Sequence, residues 1–255
     1  MSKNFELMQE ALREAQQGTH GNAGSANFSL TDSDADRNTN ETASDFDAVA
    51  QQECFKLVQR IFLTRPEDSP RSVVFAGVDR GNGCTRICLE AARILAANVT
   101  GSVCLVDANL RTPSLAKFSE IPDDSGLINS LREEGRVRDF LTQLKPDNLW
   151  LLSVGMTNAA SPALLSSDRL KMRLQELRAE FDHVLIDTPA LNLYPDAIAV
   201  GRLTDGAIVI VQAEATRRES AVKALQTLRD AQIEVLGAVL NRRTFPIPDF
   251  VYRRL

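Results

Sequence analysis

The chain has 255 residues, of which 44% are hydrophobic and 25% are charged, as in a folded globular protein. Its formal net charge of -5 disfavours a broad basic surface for nucleic acid or anionic lipid. The four cysteines form no CxxC pair, which disfavours zinc and disulfides and fits a reducing cytoplasm. No apolar run approaches the roughly 20 residues that span a bilayer, and no signal-peptide core is present. We therefore expect a cytoplasmic protein that reaches the inner face of a membrane only through a partner.

The first 48 residues predict two segments that precede the folded domain. Residues 1–17 predict a short amphipathic helix, either loosely attached or docked on a partner. Its apolar side chains recur at helical spacing: Phe5, Met8, Leu12 and Ala15. Residues 18–48 are rich in Gly, Ser, Thr, Asn and Asp, and they predict a flexible linker because they bury too little surface to offset chain entropy.

Residues 49–255 alternate between helical stretches and short apolar runs. The predicted strands are Ser72 to Ala76, Ser102 to Val106, Leu149 to Val154, His183 to Ile186, Ala207 to Val211 and Val235 to Leu240. The predicted helices are one around Gln52 to Phe62, then Thr85 to Ala97, Asp168 to Phe181 and Arg217 to Ala231. Strands that are apolar throughout are buried on both faces. This order predicts a doubly wound, mostly parallel α/β sheet flanked by helices, with ligands at the carboxyl ends of the strands.

A glycine-rich loop lies between the first strand and the next helix, where a phosphate cradle is expected. Glycines let backbone N–H groups converge on phosphate oxygens, and the helix N-terminus adds its positive dipole end. The candidate nucleotide-binding residues here are Gly77, Arg80, Gly81, Asn82, Gly83, Cys84 and Thr85. The usual signature ends in Gly-Lys-Ser/Thr, but Cys84 takes the place of the lysine.

The neutral Cys84 removes a cation from the phosphate site. Losing one charge-assisted contact costs about 1.5–3 kcal/mol of affinity. Losing a preorganised electrostatic group commonly costs roughly 10²–10³ in rate. We therefore expect nucleotide binding to survive better than phosphoryl transfer, unless Arg80 supplies the charge. An alternative interpretation makes Cys84 a redox-reactive thiol, because a helix N-terminus lowers a thiol pKa.

Two aspartates follow apolar strands. Asp107 ends the second strand and Asp187 ends the fourth. The carboxyl ends of parallel strands meet at one edge of a sheet, and carboxylates there hold Mg²⁺ directly or through water. Either aspartate alone is more often a strand-end cap, but the pair beside a glycine loop favours a metal–nucleotide site.

These segments together resemble the P-loop NTPases known as bacterial tyrosine kinases (BY-kinases) of capsule and exopolysaccharide synthesis. The resemblance runs from about Glu53 to the C-terminus. Gly77 to Thr85 is similar to the family's Walker A loop, Leu105 to Arg111 to its A-prime motif Asp-x-Asp-x-Arg, and Asp182 to Pro189 to its Walker B segment.

The resemblance implies an ATP or ADP cofactor with Mg²⁺. It gives Asp107 and Asp187 catalytic roles, and it makes Thr85, Asp107 and Asp187 the metal ligands. It also implies a membrane-embedded partner that controls polysaccharide chain length or export, and it leaves a homo-oligomer open. The net charge predicts no nucleic-acid partner.

The chain departs from the family pattern at four places. Cys84 replaces the lysine, and Asn109 replaces the second A-prime aspartate. The oligomer-forming helix usually has the pattern Glu-x-x-Arg-x-x-Arg, whereas here Glu53 and Lys56 are followed by Gln59. The family's tyrosine-rich tail is reduced to a single candidate phosphosite, Tyr252. All four departures weaken catalysis or its regulation.

Three functions remain open at this stage. The first is a catalytically impaired regulatory or scaffold protein of polysaccharide export. The second is an active autokinase in which Arg80 or a partner's cation replaces the lysine. The third is a switch ATPase of the partitioning and septum-placing kind, whose extra lysine falls at Asp79 and whose adenine-side asparagine corresponds to Asn241.

Overall fold

The computed structural model describes residues 50–155, 164, 165 and 167–242. The predicted helix over 1–17, the predicted linker over 18–48 and Tyr252 lie outside the described residues.

One seven-stranded sheet organises the described part of the chain, in the order β3-β4-β2-β5-β1-β6-β7. Its strands are β1 Ser72–Gly77, β2 Val103–Asp107, β3 Thr142–Gln143, β4 Leu149–Leu152, β5 His183–Thr188, β6 Gly206–Gln212 and β7 Val235–Asn241. All neighbouring strands pair in parallel except β3, which pairs antiparallel with β4. The predicted α/β class and the six predicted strands are confirmed.

Seven helices flank the sheet within the described residues. Helix α1 covers 50–58 and continues into a π-helical turn, Gln59–Leu63. The others are α2 Cys84–Asn98, α3 Leu115–Phe118, α4 Leu127–Arg132, α5 Asp168–Glu180, α6 Asp196–Gly201 and α7 Arg218–Asp230. Short 3₁₀ turns occur at Pro66–Asp68 and Val137–Phe140. None of the described helices combines the length and apolarity needed to cross a membrane.

Alternation along the strands builds two apolar layers. In β1, Val73 and Phe75 pack into the layer that contains α1 and α2, whereas Val74 and Ala76 pack into the layer that contains α5 and α7. Successive side chains of a strand point to opposite faces, so a strand covered on both faces is apolar throughout. The crossover from β1 through α2 to β2 then places the glycine loop, Asp107 and Asp187 at one edge of the sheet.

The outer strand β7 differs from the prediction of strands buried on both faces. Six of its seven residues are only half-buried and the seventh is exposed. Strand β7 is apolar in sequence, but among the described residues it pairs only with β6. Apolar sequence alone does not distinguish such an edge strand from a central one.

Candidate functional site: a phosphate loop above two buried carboxylates

The glycine loop joins β1 to α2 and needs glycine at two places. Gly81 and Gly83 have φ of 84° and 83°, in the left-handed region that side chains disfavour. Gly83 is also the N-cap of α2, so the turn directs backbone N–H groups toward the space above the helix. Five residues separate Gly77 from Gly83, one more than in the usual signature.

Distant side chains hold the loop in place. The Asn241 amide Nδ2 donates to the backbone oxygen of Asn82 at 2.8 Å, from the end of β7. Asn82 is buried; its Oδ1 accepts from the Asp79 N–H at 2.6 Å and its Nδ2 donates to Thr216 Oγ1 at 3.2 Å. Asn192 Nδ2 donates to Asp79 Oδ1 at 3.2 Å. Side chains from three distant segments thus fix the conformation of the loop.

Alanine substitutions at Gly81 and Gly83, which both have left-handed φ values, are expected to distinguish two causes of lost stability. One is backbone strain, and the other is steric overlap with a neighbouring side chain. A Cβ at position 81 meets nothing within 4 Å, so Gly81→Ala is expected to cost about 1–2 kcal/mol of unfolding free energy. A Cβ at position 83 collides with Asn241 Nδ2, so Gly83→Ala is expected to cost about 3 kcal/mol or more. Urea denaturation measures both losses.

The matched control for Gly83→Ala is the double variant Gly83→Ala/Asn241→Ala. Removing the amide relieves the collision but not the strain, so part of the lost stability is expected to return. Equal losses at positions 81 and 83 would contradict the close contact between Gly83 and Asn241.

Two buried carboxylates form the floor beneath the loop. Asp107 and Asp187 face each other in register on β2 and β5, and their exposed fractions are 1% and 0%. Thr85 Oγ1 donates to Asp187 Oδ2 at 2.7 Å. Asp107 Oδ1 accepts from the Asn109 N–H at 3.0 Å, and Asp107 Oδ2 accepts from the Leu115 N–H at 3.1 Å and the Ser114 N–H at 3.3 Å.

Burial raises the pKa of both carboxyl groups, and the two groups differ in the hydrogen-bond donors around them. Burial raises the pKa of Asp187 to about 8, and the nearby Asp107 raises it further against the Thr85 hydrogen bond. Burial raises the pKa of Asp107 to about 6, against three backbone N–H groups that stabilise the charged form. The pair therefore holds a proton more readily than ordinary aspartates do, and burial acts more strongly on Asp187 than on Asp107.

The Cys84 thiol lies next to the Asp187 carboxyl group of this floor. Burial and the neighbouring Asp187 carboxylate raise the pKa of the Cys84 thiol well above its ordinary value. The interpretation of Cys84 as a low-pKa, redox-reactive thiol is therefore wrong. The effect of the helix N-terminus is outweighed by burial next to a carboxyl group.

The floor fits a magnesium ion that takes most of its ligands from phosphates and water. Asp187 Oδ1 is buried and has no hydrogen-bond partner among the described residues, so it has lone pairs to offer. No group of three or more His, Cys, Asp or Glu among those residues is arranged to hold a metal alone. Mg²⁺ at phosphate sites characteristically uses one or two carboxylates. Thr85 and Asp187 are thus the residues that would hold it.

A cavity of about 680 Å³ opens above the loop. All eight predicted nucleotide-binding residues line it, namely Gly77, Arg80, Gly81, Asn82, Gly83, Cys84, Thr85 and Asn241. Asp107 and Asp187 do not line it, because they lie beneath its floor. The sequence prediction did not include Arg86, Arg111, Tyr194 and Arg242, which also line the wall.

Arg111 is fixed at the rim of the cavity. Its Nε donates to Asp196 at 3.1 Å, and its guanidinium lies 4.4 Å from the centre of the Tyr194 ring. Asn109 turns its Oδ1 to the Thr112 N–H at 3.1 Å, so it stabilises this loop instead of adding charge. The arginine was visible in the A-prime motif, but its partners lie more than 80 residues away along the chain.

Comparison with solved structures identifies the class of protein. The fold matches the chimerical protein CapA2B2 with a TM-score of 0.71 and 22% identity, covering 76% of this chain and 85% of that one. It matches the cell division ATPase MinD of Pyrococcus furiosus with a TM-score of 0.59 and 24% identity, covering 72% and 78%. The chain therefore has the fold of P-loop NTPases.

Comparison with curated proteins shows which proteins the chain resembles in sequence. The chain is 25% identical to the putative tyrosine-protein kinase CapB of Staphylococcus aureus over 182 residues, which are 71% of this chain and 79% of CapB. It is 27% identical to the tyrosine-protein kinase YwqD of Bacillus subtilis over 171 residues, 67% of this chain and 72% of YwqD. No protein-family model matches. The chain is a relative of the bacterial tyrosine kinases, as its motifs indicated.

Proposed function

We propose that this chain is a BY-kinase-like protein of capsule or exopolysaccharide biosynthesis that is impaired in catalysis and acts as a regulatory or scaffold partner. The partner is a membrane-embedded chain-length or export protein, and the chain lies at the cytoplasmic face. One observation carries the proposal: distant side chains hold the phosphate loop in place, yet position 84 is a neutral thiol beside the Asp187 carboxyl group. Such a site retains backbone donors for phosphate but lacks the cation that stabilises charge in phosphoryl transfer.

Adenine nucleotides with Mg²⁺ are the proposed ligands. The amides around Gly81 and Gly83 suit a phosphate, and Thr85 with Asp187 suits the metal. When bound, the metal would neutralise phosphate charge. The proton on Asp187 must leave before its carboxylate binds a cation, so metal binding is coupled to pH.

Tyrosine phosphorylation by the purified full chain tests this proposal. With Mg-ATP and a Glu/Tyr copolymer as acceptor, we expect phosphotyrosine at a rate roughly 10²–10³ below that of the Cys84→Lys variant. Mass spectrometry of Tyr194 and Tyr252 checks autophosphorylation in the same reaction. Asp107→Ala supplies the background. A scaffold role adds the expectation that Asp107→Ala preserves polymer length in cells, whereas loss of the chain changes it.

An active autokinase is the second candidate, and the cavity wall gives one observation in its favour. Arg80 lines the cavity, is exposed and has no ion-pair partner among the described residues, so its guanidinium is available to a phosphate. Strong Mg-ATP-dependent phosphotyrosine that disappears in Asp107→Ala would favour this candidate over the impaired scaffold. If the signal also disappears in Tyr252→Phe, Tyr252 is the phosphosite.

A further inference from the structure

The Cys84 side chain borders both the phosphate cavity and the layer of the sheet beneath it. Cys84 is half-buried and lines the cavity wall together with its neighbour Thr85. It also packs against the apolar layer that contains α1 and α2, whose buried members include Phe75 of β1 and Leu185 of β5. A sulfur atom therefore lies at the boundary between the open cavity and its floor.

The Asp187 carboxyl group next to this thiol has an oxygen atom without a donor. Asp187 is fully buried, and its Oδ2 accepts the Thr85 hydroxyl at 2.7 Å, whereas its Oδ1 has no hydrogen-bond partner among the described residues. Burial and the charge of this carboxyl group both raise the pKa of the Cys84 thiol. Buried charges are paired or coordinate metals, so Asp187 Oδ1 and the Cys84 sulfur are two donors that one cation can share.

A sulfur donor changes which cation such a floor prefers. Mg²⁺ is a hard ion that takes oxygen ligands, whereas thiolates select softer ions such as Zn²⁺. Two protein donors leave positions for phosphate oxygens or water, and the described residues contain no group of three or more His, Cys, Asp or Glu that could hold a metal alone. A site of this kind needs only one cysteine, so the lack of a CxxC pair does not exclude it.

We propose that Cys84 and Asp187 form a site for a thiophilic divalent cation of the Zn²⁺ class, so that this cavity takes a soft metal in preference to Mg²⁺. The inference rests on the proposed function in taking the cavity as a phosphate site. When the cation binds, the Cys84 S–H proton and any proton on Asp187 pass to solvent, metal–sulfur and metal–oxygen bonds form, and no electron is transferred. The cation then supplies positive charge beside a loop position that has none of its own.

Titration of the full chain with Cd²⁺, followed by ultraviolet absorption, tests this site because a thiolate bound to Cd²⁺ gives a charge-transfer band. The Cys84→Ser variant, with a hard oxygen donor, is expected to bind Cd²⁺ at least about tenfold more weakly than the unchanged chain. The matched control is Cys54→Ser. Cys54 is also half-buried and lines the same cavity, but the carboxylate near it is Glu90, so this variant is expected to bind Cd²⁺ as the unchanged chain does.

Two outcomes of this titration would overturn the proposal. Equal binding by the unchanged chain and Cys84→Ser would mean that the thiol is not a ligand. A loss in Cys54→Ser as large as that in Cys84→Ser would place the ion between the two thiols. Asp187→Asn tests the second donor and is also expected to bind Cd²⁺ at least about tenfold more weakly.

Calorimetry with ADP separates this proposal from the proposed function. The ratio of the Cd-ADP affinity to the Mg-ADP affinity is expected to fall about tenfold or more from the unchanged chain to Cys84→Ser. If Mg-ADP binds and this ratio does not change, the soft-metal site is wrong and the phosphate site stands. If Cd²⁺ gives the Cys84-dependent band but ADP binds with neither metal, the metal site stands and the proposed nucleotide ligand is wrong.

Discussion

The Cys84→Lys variant is expected to bind Mg-ADP and Mg-ATP about tenfold to a hundredfold more tightly than the unchanged chain. A hydrogen bond to a charged group contributes about 1.5–3 kcal/mol, and about 1.4 kcal/mol is tenfold in affinity. The loop needs no rearrangement to use the new charge, because Asn82, Asn192 and Asn241 already hold it. Preorganisation of this kind lets an added contact appear fully in the affinity.

The same substitution is expected to ionise Asp187. An ammonium near a buried carboxyl group favours the charged form, so the pKa of Asp187 is expected to fall from about 8 toward or below neutral. Metal binding near pH 7 then no longer requires the release of a proton from this group. The affinity gain is thus expected to be larger at pH 6.5 than at pH 8.5.

Cys84→Met is the matched control, because methionine is long and neutral. Calorimetric titration of the three chains with Mg-ADP at both pH values separates the effect of charge from that of side-chain length. If the lysine and methionine variants bind equally, the site lacks more than a cation. The proposal of a retained phosphate site would then be wrong.

Local sequence patterns were sufficient to predict the central strands of this fold. Strands β1, β2, β5 and β6 are continuous apolar runs because both faces are covered, and such runs are recognisable without tertiary information. Strand β3 was not predicted because Thr142–Gln143 is two polar residues long and owes its conformation to pairing with β4. Short elements of this kind depend on neighbours that are distant in the chain.

The site residues also differ in whether a local sequence pattern could predict them. Gly81, Gly83 and Thr85 were identifiable because spacing within nine residues defines the loop. The bond between Asn82 and Asn241 joins residues 159 positions apart, and the Arg111–Asp196 pair spans 85. No short pattern encodes such contacts. A helix N-terminus lowers the pKa of an exposed thiol, but Cys84 is half-buried next to a carboxyl group.

The Asp187→Asn variant is expected to remove a large part of the pH dependence of stability. The folded chain keeps the Asp187 proton up to about pH 8, whereas the unfolded chain releases it near the ordinary value of 3.8. The folded state therefore binds the extra proton between these values, and its stability falls by about 1.4 kcal/mol per pH unit as pH rises from roughly 4 to 8. This contribution is complete below the lower value and absent above the upper one. Asparagine does not titrate, so the variant is expected to lack this slope.

Urea denaturation of both chains at intervals from pH 4 to pH 9, without Mg²⁺ or nucleotide, measures the difference. That difference contains Asp187 and its coupling to Asp107, because all other groups are common to the two chains. Asp182→Asn is the control, at the residue just before the same strand begins. Hydrogen bonds from Ser102 lower the pKa of Asp182, so its contribution is lost as pH falls below the ordinary range and leaves the curve above pH 5 unchanged. Parallel curves for Asp187→Asn and the unchanged chain would mean that Asp187 is already ionised when the protein folds. The floor would then hold two charges, and a cation, not a proton, would have to compensate them.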